Sequence, residues 1–188
     1  MELIIISGRS GSGKSVALRV LEDLGYYCVD NIPVNLLPSL VRSVSDNYDK
    51  IAVSIDVRNL PKEQQEFNDI LEYLPGFANP TLFYLDSDDQ TLIKRFSETR
   101  RLHPLSIDSL PLDLAIKQEK VLLDVLITRA DFMIDTTDLS VHQLAESIRE
   151  KILGKKDKKL IITFMSFGFK HGIPKEADYV FDARFLPN

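Results

Sequence analysis

The octapeptide Gly8–Ser15 (GRSGSGKS) constrains the fold of this 188-residue chain more than any other feature. It matches the pattern G-x-x-x-x-G-K-[ST] at every specified position. The β-branched run Leu3–Ile6 precedes it, which indicates a strand buried on both faces. After it, apolar residues recur at helical spacing as far as Leu24, and Gly25 is typical of the residue that follows a helix. Strand, glycine-rich turn and helix in this order predict the first half of a βαβ unit with a phosphate-binding loop (P-loop).

The residue types in this loop suit a nucleotide triphosphate. Its glycines let the backbone turn tightly and leave room for phosphate oxygens to approach the N–H groups. We expect Lys14 to reach the β- and γ-phosphates as a catalytic residue and Ser15 to supply a hydroxyl ligand to Mg²⁺. The alternative is a loop that keeps only its place in the fold. The predicted nucleotide-binding residues of the loop are Gly8, Arg9, Ser10, Gly11, Ser12, Gly13, Lys14 and Ser15.

The rest of the chain repeats the alternation of strand-like and helix-like segments. Strands are predicted at Tyr27–Val29, Ile51–Ile55, Thr81–Leu85 and Phe132–Ile134. Helices are predicted at Leu36–Ser45, Glu63–Leu74, Asp89–Arg101, Leu112–Arg129 and Val141–Leu153. Alternation of this kind favours a parallel sheet with helices on both faces. The predicted fold class is therefore α/β, a kinase-like P-loop NTPase sandwich of three layers around a five-stranded parallel sheet.

Four of the strand-like runs are followed directly by an aspartate, namely Asp30, Asp56, Asp86 and Asp135. In open parallel sheets, ligands bind beyond the carboxyl ends of the strands, on the side where these residues would lie. Asp56 is the predicted Mg²⁺ ligand and catalytic carboxylate, because the run before it is strongly core-like. Asp30 is the second choice, as metal partner or as the base that orients a nucleophile. The alternative is that each aspartate only starts a loop or caps a helix.

A cationic segment follows the fourth predicted strand. Arg95, Arg100 and Arg101 are the residues of a candidate lid, and Lys94 shares a helix face with Arg101. A guanidinium cluster over bound phosphates would neutralise charge that develops on the transferred group. The alternative is a solvated helix face whose cations pair with nearby carboxylates. Arg58 is a separate candidate for a phosphate or base contact.

Composition excludes several classes of protein. The net charge of −5 argues against a bulk nucleic-acid coat. The single cysteine, Cys28, excludes an internal disulfide framework, and its place in a predicted strand favours a buried small hydrophobe over a nucleophile. His103 and His171 lack partners at metal-ligand spacing, so no zinc is expected. With no apolar stretch of membrane-spanning length and no signal peptide, the chain is expected to be cytoplasmic, without a membrane partner.

The composition changes after Gly154. Residues Lys155–Lys159 form a charge run typical of a linker, and a strand-like segment, Leu160–Phe164, follows. We therefore predict a nucleotide-binding domain over residues 1–154, and over residues 155–188 a linker with the start of a second domain. The aromatic residues near Lys170 could contact RNA, although core packing is favoured for them.

Five segments together resemble the RapZ/YvcJ family of P-loop nucleotide-binding proteins, and the resemblance covers essentially the whole chain. The P-loop alone would be unspecific, whereas the later segments make the match specific. The segments are Ser7–Ser15, Tyr27–Asn31, Asp56–Asn59, Thr99–Leu105 and Ser166–Gly172.

This resemblance implies an ATPase and GTPase. It implies that Gly8–Ser15 is the ATP segment and that Asp56, Val57, Arg58 and Asn59 form the GTP-associated segment. The RNase adapter branch of the family binds small regulatory RNA and presents one such RNA to an endoribonuclease, which tunes amino-sugar synthesis. Lys170 matches a basic position of the C-terminal RNA-binding domain. Family members continue well beyond Asn188, so most of that domain is expected to be missing here.

Three functions stay open at this point. The first is a regulatory NTPase and RNase adapter with ATP or GTP and Mg²⁺ as ligands. The second is a small-molecule or nucleotide kinase, and the third is a nucleotide sensor that hydrolyses negligibly. Homo-oligomerisation is compatible with each of them.

Overall fold

A computed structural model describes residues 1–61, 63–106, 110–154, 164–173 and 179–182. The described residues form one parallel sheet of five strands in the order β2-β3-β1-β4-β5. The strands are β1 (Glu2–Gly8), β2 (Tyr27–Val29), β3 (Lys50–Ser54), β4 (Asn79–Asp86) and β5 (Phe132–Asp135). The helices are α1 (Lys14–Asp23), α2 (Leu37–Val44), α3 (Gln64–Glu72), α4 (Asp89–Thr99), α5 (Leu112–Ile127) and α6 (Val141–Leu153).

Strand β1 lies at the centre of the sheet and is covered on both faces. Alternate residues of the strand enter two separate cores, because successive side chains of a strand point to opposite faces. Leu3 and Ile5 pack into a core closed by α2, α3 and α5. Ile4 and Ile6 pack into a second core closed by α1 and α6. The sheet is therefore the middle of three layers, and the predicted fold class is confirmed.

Helix α4 ends earlier than the sequence pattern indicates. It stops at Thr99, whereas the pattern extends to Arg101, because Arg100 takes the left-handed conformation (φ 52°) that terminates helices. The chain then turns toward Pro104, and Leu105 donates its backbone N–H to the ring of His103. We refer to residues 100–105 as the wall segment. The strand bounds and the other helix bounds agree with expectation within about three residues.

The chain folds into two compact units, residues 1–156 and 157–188. In the described part of the second unit, a 3₁₀ turn spans Phe169–His171, and residues 179–182 have no regular structure. Most of the predicted strand Leu160–Phe164 lies outside the described residues. Among the helices that are described, none combines the length and the apolar character needed to cross a bilayer.

Candidate functional site

The P-loop begins at the end of the central strand β1 and leads into α1 through backbone positions that favour glycine. Gly8 has φ 134°, and a Cβ atom there would lie 2.0 Å from the carbonyl oxygen of Leu85 on β4. Gly13 has φ 104°, and a Cβ there would lie 2.5 Å from Cδ2 of Leu144 on α6. Both positions combine a left-handed backbone with a neighbour that leaves no space for a side chain. The loop is therefore closely packed against the sheet at one end and against α6 at the other.

Lys14 folds back over the loop that it follows. Its Nζ donates to the carbonyl oxygens of Gly8 at 2.7 Å and Arg9 at 3.1 Å. Burial lowers the pKa of Lys14, although the charges of Glu119 and Asp56 act in the opposite direction. The ammonium group is thus held at the loop by carbonyl oxygens, which phosphate oxygens can replace as partners.

The side chain of Arg9 is buried, at 1% exposure. Its guanidinium donates to the carbonyl oxygens of Ser87 and Ile116 and, at 2.6 Å, to Oδ1 of Asp89. These bonds tie the loop to the segment that begins α4 and to α5. The backbone N–H of Arg9 is bonded as well, to the carbonyl oxygen of Leu85 at 3.1 Å, so the role of Arg9 in nucleotide binding remains a prediction.

Glu119 of α5 holds the loop by hydrogen bonds with Ser10, a role that the sequence analysis missed. Its side chain is fully buried and accepts hydrogen bonds from Ser10 through both the backbone N–H (2.9 Å) and Oγ (2.7 Å). His103 Nε2 lies 3.1 Å from the same carboxylate. Burial acts to raise the pKa of Glu119, but the bonds from His103 and Ser10 and the charge of Lys14 lower it below its ordinary value. A sequence signal existed, since Glu119 interrupts the apolar stripe formed by Ile116, Leu123 and Leu126.

Thr136, which follows β5, contacts the loop at Ser12, and the sequence analysis missed this role as well. Its Oγ lies 3.0 Å from the carbonyl oxygen of Ser12 and 2.9 Å from that of Asp86. Arg95 donates to Gly11 O at 3.0 Å and to Thr136 O at 2.6 Å, so it braces the loop in this structure. Its role in a lid remains a prediction. Position alone could have indicated Thr136, because it follows Asp135 at the carboxyl edge of the sheet.

Two clefts flank the loop, and both are lined by Gly11, Gly13, Val16 and Arg95. The larger cleft, of about 550 Å³, reaches the ends of β2 and β3 and the wall segment. The smaller cleft, of about 270 Å³, lies toward the connection between β5 and α6. The charged residues of the larger cleft are Lys14, Asp30, Asp56, Arg58, Arg95 and Arg101. The apolar residues of the smaller cleft are Val16, Leu139, Val141 and Leu144.

The four strand-end aspartates divide into two pairs. Asp30 and Asp56 line the larger cleft. Asp86 instead accepts the backbone N–H of Ser87 and lies 3.6 Å from buried Arg9. Asp135 accepts from the backbone N–H and Oγ of Thr137, and these two bonds lower its pKa. The last two therefore organise turns, as the alternative interpretation of these residues expects.

Asp56 is closely paired with Arg58 of the same segment. Asp56 Oδ1 accepts the backbone N–H of Arg58 at 2.8 Å, and Oδ2 accepts from its Nε at 3.0 Å. The hydrogen bonds to Asp56 raise the pKa of Arg58. Val57 points into the core instead of the cleft, and Asn59 donates to Asn31 Oδ1 at 2.7 Å. Asp30, in contrast, accepts a short hydrogen bond from the neutral hydroxyl of Ser54.

The remaining candidates are dispersed. Ser15 is exposed at the start of α1 and lines the larger cleft, as Arg101 does, while Arg100 is exposed and does not line it. Lys170 is exposed in the second unit. Burial and the charge of Glu22 raise the pKa of Cys28 to about 11, which argues against a nucleophile. Within the described ranges, no group of three or more ligating side chains is placed to hold a metal ion.

Sheet order, loop and flanking helices together define a P-loop α/β protein of the kinase-like type. Its fold is similar to a sugar kinase from Janibacter sp., with a TM-score of 0.55, 16% identity, and coverage of 82% of this chain and 93% of that one. It is equally similar to shikimate kinase from Acinetobacter baumannii, with a TM-score of 0.55, 16% identity, and coverage of 83% and 95%. At these identities the likeness establishes the fold alone.

The chain belongs to the RapZ-like family, which confirms the resemblance. The RapZ-like N-terminal domain matches residues 1–156, and the RapZ C-terminal domain matches residues 160–188. A nucleotide-binding protein of Pseudoalteromonas translucida is 91% identical over 188 residues, which are 100% of this chain and 67% of that protein. The RNase adapter protein RapZ of Salmonella newport is 58% identical, over 100% of this chain and 66% of that protein. The chain thus spans about two thirds of the length of these curated relatives.

Proposed function

We propose that this chain is the nucleotide-binding part of a regulatory NTPase that binds and slowly hydrolyses ATP or GTP with Mg²⁺. The observation that carries the proposal is the braced loop, in which Lys14 already rests on the carbonyl oxygens of Gly8 and Arg9. Glu119 holds the loop at Ser10 and Thr136 holds it at Ser12, so the loop backbone would need little reorganisation to bind a phosphate. The names of the nucleotide-binding relatives support the same proposal.

The phosphates would lie along the backbone N–H groups from Gly11 to Ser15. Lys14 would exchange its two carbonyl partners for β- and γ-phosphate oxygens, which are stronger acceptors because they are charged. The buried Ser12 Oγ, which lacks a partner among the described residues, fits such an acceptor-rich site. The base of the nucleotide, adenine or guanine, would contact the apolar side chains of Val16 and Leu144 in the smaller cleft.

The residues present also fit a magnesium ion. The exposed hydroxyl of Ser15 would be a direct ligand, and Asp56 would act through water, because Arg58 already engages both of its carboxylate oxygens. When bound, the ion would neutralise charge on the phosphates. Asp30, held by Ser54, would orient the attacking water from the other side of the cleft.

By family membership, we extend the proposal to an RNase adapter. The longer protein would act in the cytoplasm, bind small regulatory RNA with help from Lys170, and present it to an endoribonuclease, so that nucleotide state controls RNA decay and amino-sugar synthesis. The name of the Salmonella relative supports this extension. RNA affinity at low salt should be present in the full-length protein and should weaken as salt rises. A full-length protein without RNA affinity at low salt would refute the adapter function.

The nucleotide part is tested by calorimetric titration of the full-length protein with ATP, GTP and their diphosphates in Mg²⁺. Binding should weaken about 100-fold in Lys14→Ala and be retained in the matched control Lys120→Ala, an exposed lysine of α5. Asp56→Ala should weaken triphosphate binding more than diphosphate binding. If Asp56→Ala matched the wild type throughout, the metal role would pass to Asp30. Heat from neither purine triphosphate would refute the proposal.

A second function, phosphoryl transfer to a small hydroxylated acceptor, is favoured by one observation. The larger cleft extends beyond the loop to Asp30, Asn31 and Arg58, which adds polar side chains suited to a hydroxylated acceptor. An acceptor hydroxyl oxygen would attack the γ-phosphorus and pass its proton to Asp30, while the bond from that phosphorus to the β–γ bridging oxygen breaks and the diphosphate leaves. Mass spectrometry across an acceptor panel decides between the functions: a phosphorylated acceptor supports a kinase, and free phosphate alone supports hydrolysis.

A further inference from the structure

Two guanidinium groups in the larger cleft have donors that the protein does not use. Arg101 of the wall segment lines the cleft and has neither a hydrogen-bond partner nor an ion-pair partner among the described residues. Arg58 also lines it, and its side chain is 47% exposed. Arg58 engages Asp56 through Nε and Nη2, and its Nη1 has no partner within the described part of the chain. Both groups can therefore donate to a ligand.

The other two cations of this cleft have partners of their own. Arg95 donates to the carbonyl oxygens of Gly11 and Thr136. Lys14 rests on the loop carbonyl oxygens, which the nucleotide phosphates would replace. Arg58 and Arg101 are thus the cations that remain for a ligand other than the nucleotide.

Asp30 provides an acceptor in the same cleft. Its Oδ1 accepts from the hydroxyl of Ser54, which in turn accepts the backbone N–H of Asn31 at 2.8 Å. Its Oδ2 has no partner among the residues that the structure describes. Asn31 also lines the cleft, and its Oδ1 accepts from Asn59, so its own amide hydrogens stay available. The carboxylate is therefore held in place with one oxygen open to a donor.

The charges around Asp30 favour a hydroxyl over an ammonium group as that donor. Burial lowers the pKa of Lys14, and the charges that also act on it include those of Asp30 and Arg58. These groups consequently lie close enough to interact. An ammonium group placed at Asp30 would be repelled by Lys14 and Arg58, whereas a neutral hydroxyl would not.

We propose that this end of the larger cleft is a second ligand site, which binds a small hydroxylated anion beside the nucleotide. Arg58 and Arg101 would hold its carboxylate or phosphate group, because the guanidinium fork suits either oxyanion. Asp30 would accept a hydrogen bond from its hydroxyl. The placement beside a nucleotide rests on the proposed function, and it narrows the acceptor of the second candidate function to an anion.

The experiment is calorimetric titration of the full-length protein with two matched series of probes, with and without saturating ADP and Mg²⁺. One series is glycerol, glycerate and glycerol 3-phosphate, and the other is ribitol, ribonate and ribitol 5-phosphate. Each series keeps the hydroxyl chain and changes the charged group, so that carboxylate and phosphate are tested separately. We expect an anion to bind about tenfold more tightly than the neutral polyol of its series, and ADP to change that affinity by no more than about threefold.

Arg101→Gln is the principal variant, since an exposed side chain without a partner can be replaced without loss of the fold. It should weaken anion binding about tenfold and leave the affinities for the polyol and for ADP unchanged. Arg58→Lys keeps the charge beside Asp56 and loses the fork, so it should weaken anion binding about threefold. Arg19→Gln is the matched control, because Arg19 is exposed on α1 and lines neither cleft, and it should match the wild type.

Four results would overturn this second site. The anions could bind no better than the polyols, or none of the probes could bind. Displacement of the anion by ADP would place it on the P-loop. An effect of Arg101→Gln on ADP alone would assign Arg101 to the predicted lid. Anion binding that neither Arg101→Gln nor Arg58→Lys weakened would place it elsewhere in the full-length protein. If ADP did not bind, the proposed function would fail, and the titrations without ADP would still decide whether the anion site exists.

Discussion

The two clefts beside the P-loop share four lining residues, but the other residues that line them differ in polarity. The smaller cleft is bounded by apolar side chains from the β5–α6 connection, including Leu139 and Leu144. The larger cleft is bounded by carboxylates and guanidinium groups from the ends of β2 and β3 and from the wall segment. An apolar slot suits a flat base, whereas opposed charges suit a polar ligand or a reacting group. One loop thus separates an apolar cleft from a charged one, and under the proposed function the first would hold the base while the second would hold the reacting groups.

The largest expected effect is a loss of nucleotide affinity on substitution of Lys14, which belongs to the loop between the two clefts. Lys14→Ala should weaken ATP and GTP binding about 100-fold, because charge-assisted hydrogen bonds to phosphate contribute about 1.5–3 kcal/mol each. Isothermal titration of wild type, variant and Lys120→Ala checks this. If neither nucleotide bound more weakly to Lys14→Ala, Lys14 would not contact the phosphates.

Gly13→Ala tests the smaller cleft through packing. The new Cβ would meet Leu144 Cδ2 at 2.5 Å on a backbone with φ 104°, so we expect a loss of about 1–3 kcal/mol in the free energy of unfolding. Gly25→Ala is the matched control, since Gly25 also has positive φ (85°) but no atom within 4 Å of the built Cβ. Urea denaturation of both variants separates the clash from the backbone strain. Equal losses would show that α6 does not confine the loop.

A pair of hydroxyl deletions contrasts the two sides directly. Thr136→Val removes the hydroxyl that contacts Ser12 O and Asp86 O, whose single proton donates one full hydrogen bond at a time, and should lower nucleotide affinity by up to about tenfold, at roughly 0.5–1.5 kcal/mol for one hydrogen bond. Ser54→Ala removes the support of Asp30, and should lower the rate of hydrolysis while nucleotide affinity stays within about threefold of wild type. Titration and a phosphate-release assay measure both. The same affinity loss in the two variants would erase the contrast between holding and reacting sides.

The smallest expected effect is a pH dependence of stability that arises at buried Glu119. Its folded-state pKa is lowered, so the stability it contributes is present above the unfolded pKa of about 4.3 and is lost as the pH falls through the folded value. Glu119→Gln should therefore be less stable than wild type at neutral pH, with a difference that shrinks below about pH 4. Urea denaturation from pH 7 to pH 3 checks the sign. A difference that grew on acidification would show that burial outweighs the hydrogen bonds to Glu119.

Local patterns predicted the elements, and distant contacts completed the site. The motif at Gly8–Ser15 and the alternating apolar runs depend on neighbours in sequence, and they indicated the sheet and its loop. Glu119 meets Ser10 across 109 residues, and Thr136 meets Ser12 across 124. No local period reports such a contact, because packing of α5 and β5 against the sheet creates it. The traces in the sequence are a charge within the apolar stripe of a helix for Glu119 and a position at the carboxyl edge of the sheet for Thr136.

Arg95 shows the same limit for a residue that the sequence did single out. Its position in a cationic segment predicted a lid, and its partners in the structure are Gly11 and Thr136. A pattern of charges indicates where cations are concentrated but does not indicate the carbonyl oxygens they reach. Asp56 shows the same limit, since its place after a core-like strand predicted its position at the ligand-binding edge of the sheet, where it lines the larger cleft, but its pairing with Arg58 was not predicted.

The central position of β1 has a kinetic consequence for the loop that it carries. Its residues pair in register with β3 on one side and with β4 on the other, and Gly8 itself pairs with Leu85. A strand bonded along both edges exchanges its amide protons only when much of the molecule opens. The entry to the loop should therefore be among the last parts of the chain to lose its protection, so that local opening elsewhere leaves the anchoring strand intact.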